Sequence, residues 1–448
     1  MAFLQFPSAP KKDNPPRWFG GISISSGGRR IESAVIGSHG RGGGSPIEIR
    51  KTISFDLPPE ITSAYIELQR ICSSDNAPIG VFFSLYQHVL RELASVEEEA
   101  IGELLSDAHL SKNDVLAFGV KDSGLFHRHQ SQQGNFLSYQ SLCDAPYLAE
   151  QTGLNIIDAF PEQDVASNGR GGPLLPLPMW VFLKSDTADR ILIDLGATAR
   201  IIFLPRAENV FSHQRILYRD IIPCGSLLDS LTRSLTQGKM SIDNGGKLTV
   251  QGCQLPELLD ALRAVQSERQ RTSKTQTSNW NPLGISPSPF LEVLAHRNTS
   301  EYTVQDILCT ANAFIAECVA DAILNMFSET ERETENNDSK NTEPELLITG
   351  SGQLHGLLVN LLSSHLNKRP IMPIARLGFS SDCFDAVNTA MLTLMAADQI
   401  PSNLPSLTGS DTSRPLGRIT SGSAAAWQRL LNEMTLSKPA ARNLRSAV

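Results

Sequence analysis

GGISISSGGRRIE, residues 20–32, is the stretch on which the fold turns. It reads as two short strands, 18–25 and 30–36, around a turn built from Ser25, Ser26, Gly27 and Gly28. Backbone N–H groups in such a turn can cradle a phosphate. Arg29 and Arg30 close it, and the same residues serve equally well in a plain hairpin. After a glycine-rich loop, residues 47–55 alternate apolar and polar, the period of a half-buried strand. Helical patterns follow at 59–74 and 80–106, a short apolar strand at 115–119, and a helix closed by Gly153. Another apolar strand is expected at 154–160.

The second half repeats the plan. Residues 190–194 and 200–204 read as strands around a GATA turn, with a third strand at 213–222. Helices are expected at 226–236 and 255–268, and a long one from a Thr303/Asp306 capping box to about residue 327. There Ile307, Ala311, Phe314, Ile315 and Cys318 share one face. A strand at 346–349 runs into Gly350-Ser351-Gly352, and 383–397 is a last helix. Strand–turn–strand–strand followed by helices thus occurs twice. That predicts a duplicated α/β plan with a cleft between two halves, where ligands commonly sit.

Composition sets bounds. The chain has 448 residues, 41% hydrophobic and 19% charged, which suits two or three globular domains. A net charge of −8 gives no general affinity for nucleic acid or an anionic membrane. No run of about 18 apolar residues stands out as a membrane span, and the N-terminus lacks the order of a signal peptide. The seven cysteines form no metal-spaced cluster and read as reduced thiols of a cytoplasmic protein. Residues 1–17 read as a flexible tail, 18–185 as a first domain with 421–448 available to complete it, and 186–420 as a second domain. Polar stretches at 267–279 and 328–345 read as mobile insertions.

Several motifs, in order, resemble the anhydro-N-acetylmuramic acid kinase family: LAEQTGL (148–154), DVASNGRGGPLLP (164–176), ILIDLGATARIIFL (191–204), ITGSGQLHGLLVNLL (348–362), DAVNTAMLTLMA (385–396) and NLPSLTG with PLGRI (403–419). The resemblance spans roughly residues 18–420. It implies two ribonuclease-H-like domains of the actin-like ATPase superfamily around a nucleotide cleft. It also implies ATP and magnesium as cofactors, an amino sugar as partner, and a possible homodimer. The implied reaction is phosphorylation of 1,6-anhydro-N-acetylmuramic acid with opening of the anhydro ring by water, an aspartate acting as base.

Carried over residue by residue, the resemblance implies Asp220 as the base. It implies Ser25, Ser26, Gly27, Gly28, Gly196, Gly350 and Gly352 at the nucleotide, and Asp385, Asp164 and His127 at the sugar. No protein metal ligand is assigned. The departures are as informative. Arg29 replaces the acid that helps organise magnesium in this superfamily, and a guanidinium cannot ligate a cation. Residues 120–124 replace a sugar-contacting S-H-G-Q-T, Arg170 replaces a Gln, and Ala159-Phe160-Pro161 replaces Asp-Phe-Arg. Asp194, Ala197 and Arg200 stand for Asn, Gly and Asn in the second hairpin. Two functions fit this pattern: a divergent ATP-dependent sugar kinase, or a catalytically weak or inactive pseudokinase serving as a binding or scaffold protein.

Overall fold

The strands of the computed structural model are β1 Arg17–Ile24, β2 Arg30–Ser38, β3 Ile47–Asp56, β4 Val115–Lys121, β5 Leu125–Ser131, β6 Gly134–Gln140, β7 Ile156–Asp158, β8 Arg190–Leu195, β9 Thr198–Leu204, β10 Leu217–Pro223, β11 Glu345–Thr349, β12 Ile371–Pro373 and β13 Arg418–Thr420. The structure describes residues 15–25, 28–41, 45–72, 79–122, 124–131, 134–209, 211–272, 278–282, 284–295, 302–334 and 343–437. Ser26, Gly27 and residues 1–14 of the expected tail lie outside these.

One sheet has the order β13-β7-β4-β1-β2-β3 and another β10-β9-β8-β11-β12. In each, three strands form an antiparallel meander (β1-β2-β3, β8-β9-β10), and two further strands join the first of them in parallel. This is the ribonuclease-H-like plan, present twice. The central strands β1 and β4 are buried almost throughout, as parallel strands covered on both faces are. Edge strand β3 alternates over residues 47–50 and is half-buried through 51–55.

The chain divides into two compact units: residues 1–182 with 382–448, and Leu183–Ser381. This division falls at 381/382, where the sequence reading ended the second domain at 420. The cause is local. In the Phe384–Ala397 helix every residue except Asp385 is buried. It lies across Gly21 and Gly119, which are register partners on β1 and β4. A Cβ on Gly21 would stand 2.2 Å from the Ala390 amide nitrogen, and one on Gly119 would stand 1.9 Å from Thr393 Oγ1. Two adjacent glycines thus open the sheet to the backbone of a helix far along the chain.

The second unit is built around the Val304–Thr334 helix, whose Ile307, Ala311, Phe314 and Ile315 pack with Ile193 and Ile201 of the sheet. Thr303 caps it as expected: the Asp306 amide donates to Thr303 Oγ1 at 3.1 Å. By length and composition Val304–Ser328 could cross a membrane, contrary to the sequence reading, but most of it is buried in this unit.

Other expectations change in detail. Of 154–160 only β7 joins the sheet, because Ala159 turns left-handed (φ 52°) and Pro161 sits in the first turn of the Phe160–Val165 helix. In the segment 267–279 the Pro256–Thr272 helix runs through the first part and Ser278 bridges to Tyr218, with 273–277 outside the described residues. In the acidic segment 328–345 the long helix continues to Thr334 and β11 starts at Glu345, with 335–342 outside the described residues. Arg17, expected in the tail, opens β1, and its guanidinium pairs with Asp398 at 2.8 Å. The β5–β6 hairpin and the Ala424–Ser437 helix were not anticipated.

Candidate functional site

In the second unit the candidate site is a row of charge across three neighbouring strands. Arg200 on β9 is the register partner of both Asp194 on β8 and Asp220 on β10. Register partners project to the same face, so the three side chains meet. Arg200 Nη1 lies 3.3 Å from Asp194 Oδ2, and its Nε lies 3.2 Å from Asp220 Oδ1. Asp220 is only 2% exposed, and it also accepts the Tyr218 hydroxyl at 2.8 Å and the Asn281 amide at 3.3 Å. Asn279 clasps its backbone, accepting the Asp220 amide at 2.7 Å and donating to its carbonyl at 2.7 Å. Burial pushes the Tyr218 phenol well above its usual range, so it stays a donor. The expected base thus sits in an ion pair with Arg200 and accepts hydrogen bonds at both of its oxygens.

The turn beside this row is also occupied from within. The amides of Cys224 and Gly225 donate to the carbonyls of Ala197 and Gly196 at 2.8 and 3.0 Å. Ser226 donates to Ala197 through both its amide and its hydroxyl. The N-terminal amides of the Gly225–Leu235 helix that could hold an anion are committed to this hairpin. Gly350, at φ 83°, and Gly352 follow β11, and both lie against the hairpin. A Cβ on Gly350 would meet Asp194 Oδ1 at 2.7 Å and the Gly196 nitrogen at 2.8 Å, and one on Gly352 would meet Leu195 Cβ at 2.7 Å. The structure therefore brings Gly196, Gly350, Gly352, Asp194, Arg200 and Asp220 together. It also gives the two later glycines a packing reason for being glycine. His355, at the end of this turn, is held below its ordinary pKa by burial and is neutral at neutral pH.

In the first unit Ser25 closes the hairpin itself: its amide donates to the Arg30 carbonyl at 2.9 Å, its carbonyl accepts the Gly28 amide at 2.9 Å, and its hydroxyl accepts the Arg30 amide at 3.1 Å. Gly28, at φ 62°, packs on the ring of Tyr65. One strand further, Glu32 lies opposite Ser23. Burial first, then the nearby Asp385 charge, lifts its carboxyl to about 9, although Lys121, the Ala386 amide and Arg30 oppose this. Glu32 is therefore a neutral acid at neutral pH, seated at the N-terminus of the Phe384–Ala397 helix. Lys121 reaches Asp385 at 3.8 Å, and Arg30 reaches Asp382 at 3.2 Å. Glu32 and Lys121 were missed as site residues. Their signal was weak: Glu32 ends the opening motif, and Lys121 sits among the replaced sugar contacts.

Two expected sugar-contacting residues sit elsewhere. Asp164 is fully buried, and its carboxylate accepts the Gly171 amide at 2.9 Å, Asn403 Nδ2 at 2.8 Å and the Thr408 hydroxyl at 2.7 Å. It is a joint between the 164–171 and 403–410 loops. His127 stands exposed on the β5–β6 hairpin. Asp158 is buried in an ion pair with Arg418 at 2.6 Å.

Magnesium does not fit the residues of either hairpin. Arg29 fills the acid position in the first. In the second both carboxylates face the Arg200 guanidinium, which would repel a cation.

Two ribonuclease-H-like units, each with a strand–turn–strand hairpin and a polar row at its sheet, define the class: a protein of the actin-like ATPase and sugar kinase fold. Within that class the family is specific. A sequence profile of the anhydro-N-acetylmuramic acid kinase family matches residues 54–422, and the chain belongs to that family. It is 27% identical over 340 residues to the anhydro-N-acetylmuramic acid kinase of Colwellia psychrerythraea, covering 74% of this chain and 81% of that protein. It is 26% identical over 393 residues to the enzyme of the same name from Psychrobacter cryohalolentis, covering 84% and 87%. Among solved structures it is similar to the activator of the 2-hydroxyisocaproyl-CoA dehydratase from Clostridium difficile with bound ADPNP. That match has 10% identity and a TM-score of 0.37, and it covers 84% of this chain and 94% of that one.

Proposed function

We propose that this chain is an ATP-binding member of its family in which phosphoryl transfer to 1,6-anhydro-N-acetylmuramic acid is held off by Arg200. The observation that carries the reading is the ion pair between Arg200 Nε and Asp220 Oδ1 at 3.2 Å, on a carboxylate 2% exposed. A general base must present a free lone pair to water within hydrogen-bond reach. Here one Asp220 oxygen takes the guanidinium and the tyrosine hydroxyl, and the other takes a backbone amide. ATP binding rests on family membership and on the glycine turn at 350–352, which leads into the Gly356–His365 helix.

The test is calorimetry with ATP, with and without magnesium, followed by a phosphorylation assay on 1,6-anhydro-N-acetylmuramic acid. The expected result is ATP binding without turnover in the wild type. Turnover should rise by at least about tenfold in Arg200→Asn, which frees the base, and vanish again in Arg200→Asn/Asp220→Asn. Full turnover by the wild type would overturn the reading and make the chain a working kinase. Failure to bind ATP at millimolar concentration would leave a binding protein of another ligand class.

A further inference from the structure

We propose that Cys253 and Cys309 form a disulfide when the protein meets a hydroperoxide, locking the 252–255 segment onto the Val304–Thr334 helix. Cys253 is exposed, Cys309 is buried, and both are free thiols in the structure. The segment carrying Cys253 lies along one face of the helix. The Cys253 amide donates to Asp306 Oδ1 at 2.7 Å, and the Leu255 amide donates to Thr310 Oγ1 at 2.9 Å. Positions 306, 309 and 310 share a helical face, so these two bonds lay the segment over Cys309. A Cβ on Gly252 would stand 2.1 Å from the Gln305 carbonyl oxygen, so the approach is a close one. Burial raises the Cys309 thiol, and the Cys253 and Asp306 charges add to it.

The chemistry divides between the two residues. The accessible Cys253 thiolate attacks the peroxide oxygen, the O–O bond breaks, and a sulfenic acid forms with release of one water. The Cys309 sulfur, reachable from within the fold, attacks that sulfenic sulfur and expels the second water. Two thiols lose two hydrogens, and one hydrogen peroxide becomes two waters. The consequence reaches the turn described above. The chain before Cys253 carries Gly246, which faces His355 Nδ1, and Thr249, whose hydroxyl accepts from Asn312 Nδ2 of the same helix at 3.3 Å. Oxidation therefore pins the wall of the 350–355 turn.

Full-length protein is treated with equimolar hydrogen peroxide, alkylated, and mapped by peptide mass spectrometry without reduction. The expected product is a linked Cys253–Cys309 peptide pair, a loss of two alkylatable thiols, reversal by dithiothreitol, and a melting temperature raised by roughly 5–10 °C. Cys309→Ser should carry oxidised Cys253 as sulfenic or sulfinic acid and gain no thermal stability. Recovery of Cys309 fully alkylated in the oxidised wild type would overturn the proposal. So would Cys253 joined only between molecules.

Discussion

Replacing Arg200 with alanine tests the charge row directly. The variant leaves Asp194 and Asp220 facing each other without a cation, with side-chain exposures of 16% and 2%. Removing one partner of a buried pair costs about 3–5 kcal/mol. Arg200 is 27% exposed and water screens the Asp194 side, so the lower end of that range, about 3 kcal/mol, applies. The second unit runs from Leu183 to Ser381. For a body of that size 1 kcal/mol moves the melting temperature by about 2–4 °C, so the transition should fall by about 6–12 °C. Thermal and urea melts at neutral pH read this out. Asp220→Asn in the same background removes the stranded charge, so the double variant should be more stable than the sum of the single losses by about 1–3 kcal/mol. A loss under about 0.5 kcal/mol with additive single variants would mean that Arg200 does not hold Asp220. The argument that the base is engaged would then fall.

Other consequences are as direct. Gly21→Ala places a methyl 2.2 Å from a helix backbone nitrogen that cannot swing aside, so it should cost at least about 3 kcal/mol, measured by urea melts. Asp164→Ala strands the Gly171 amide and takes one acceptor from Asn403 Nδ2 and one from the Thr408 hydroxyl, both of which keep Ser410 Oγ, an expected loss of about 2 kcal/mol with ATP affinity in calorimetry unchanged. Glu32 keeps its proton to about 9 when folded, against an ordinary value of 4.5. Its contribution is fully present below 4.5 and is lost as pH rises toward 9, because the unfolded chain releases that proton first. Glu32→Gln should flatten the fall in melting temperature across that window and change little at its acid end. An unchanged slope would mean that Glu32 is ionised in the fold.

Much of this architecture was legible in the residues. The buried central strands appear as unbroken apolar runs because parallel sheets hide both faces, and the glycine turns mark where the meanders reverse. The unit boundary was not legible. It is set by the fit of Ala386 and Ala390 into the space above Gly21, a contact between distant residues that no local periodicity reports. The state of Glu32 was hidden for the same reason, since its burial depends on where that helix begins. Asn279 was lost because a polar stretch gives no sign of the backbone it will clasp. The Asp194–Arg200 pair could have been found. A hairpin centred on residue 197 places 194 opposite 200, and opposite charges there are a cross-strand pair.

That pair also bears on what kind of departure this chain represents. The resemblance implies neutral amides at the two positions, and here they are Asp194 and Arg200 in register. A hairpin that had shed its ligand chemistry piecemeal would carry leftover polar groups facing nothing. Instead Arg200 meets both Asp194 and Asp220, while Tyr218 and the Asn279–Asn281 segment add hydrogen bonds to Asp220. Each component is interpretable only with the others: Arg200 without Asp194 would leave a partly buried charge on one partner, and Asp194 without Arg200 would repel Asp220. The hairpin is therefore stabilised by the same contacts that withdraw Asp220 from water. Reversing one of its residues should restore chemistry only at the cost of stability.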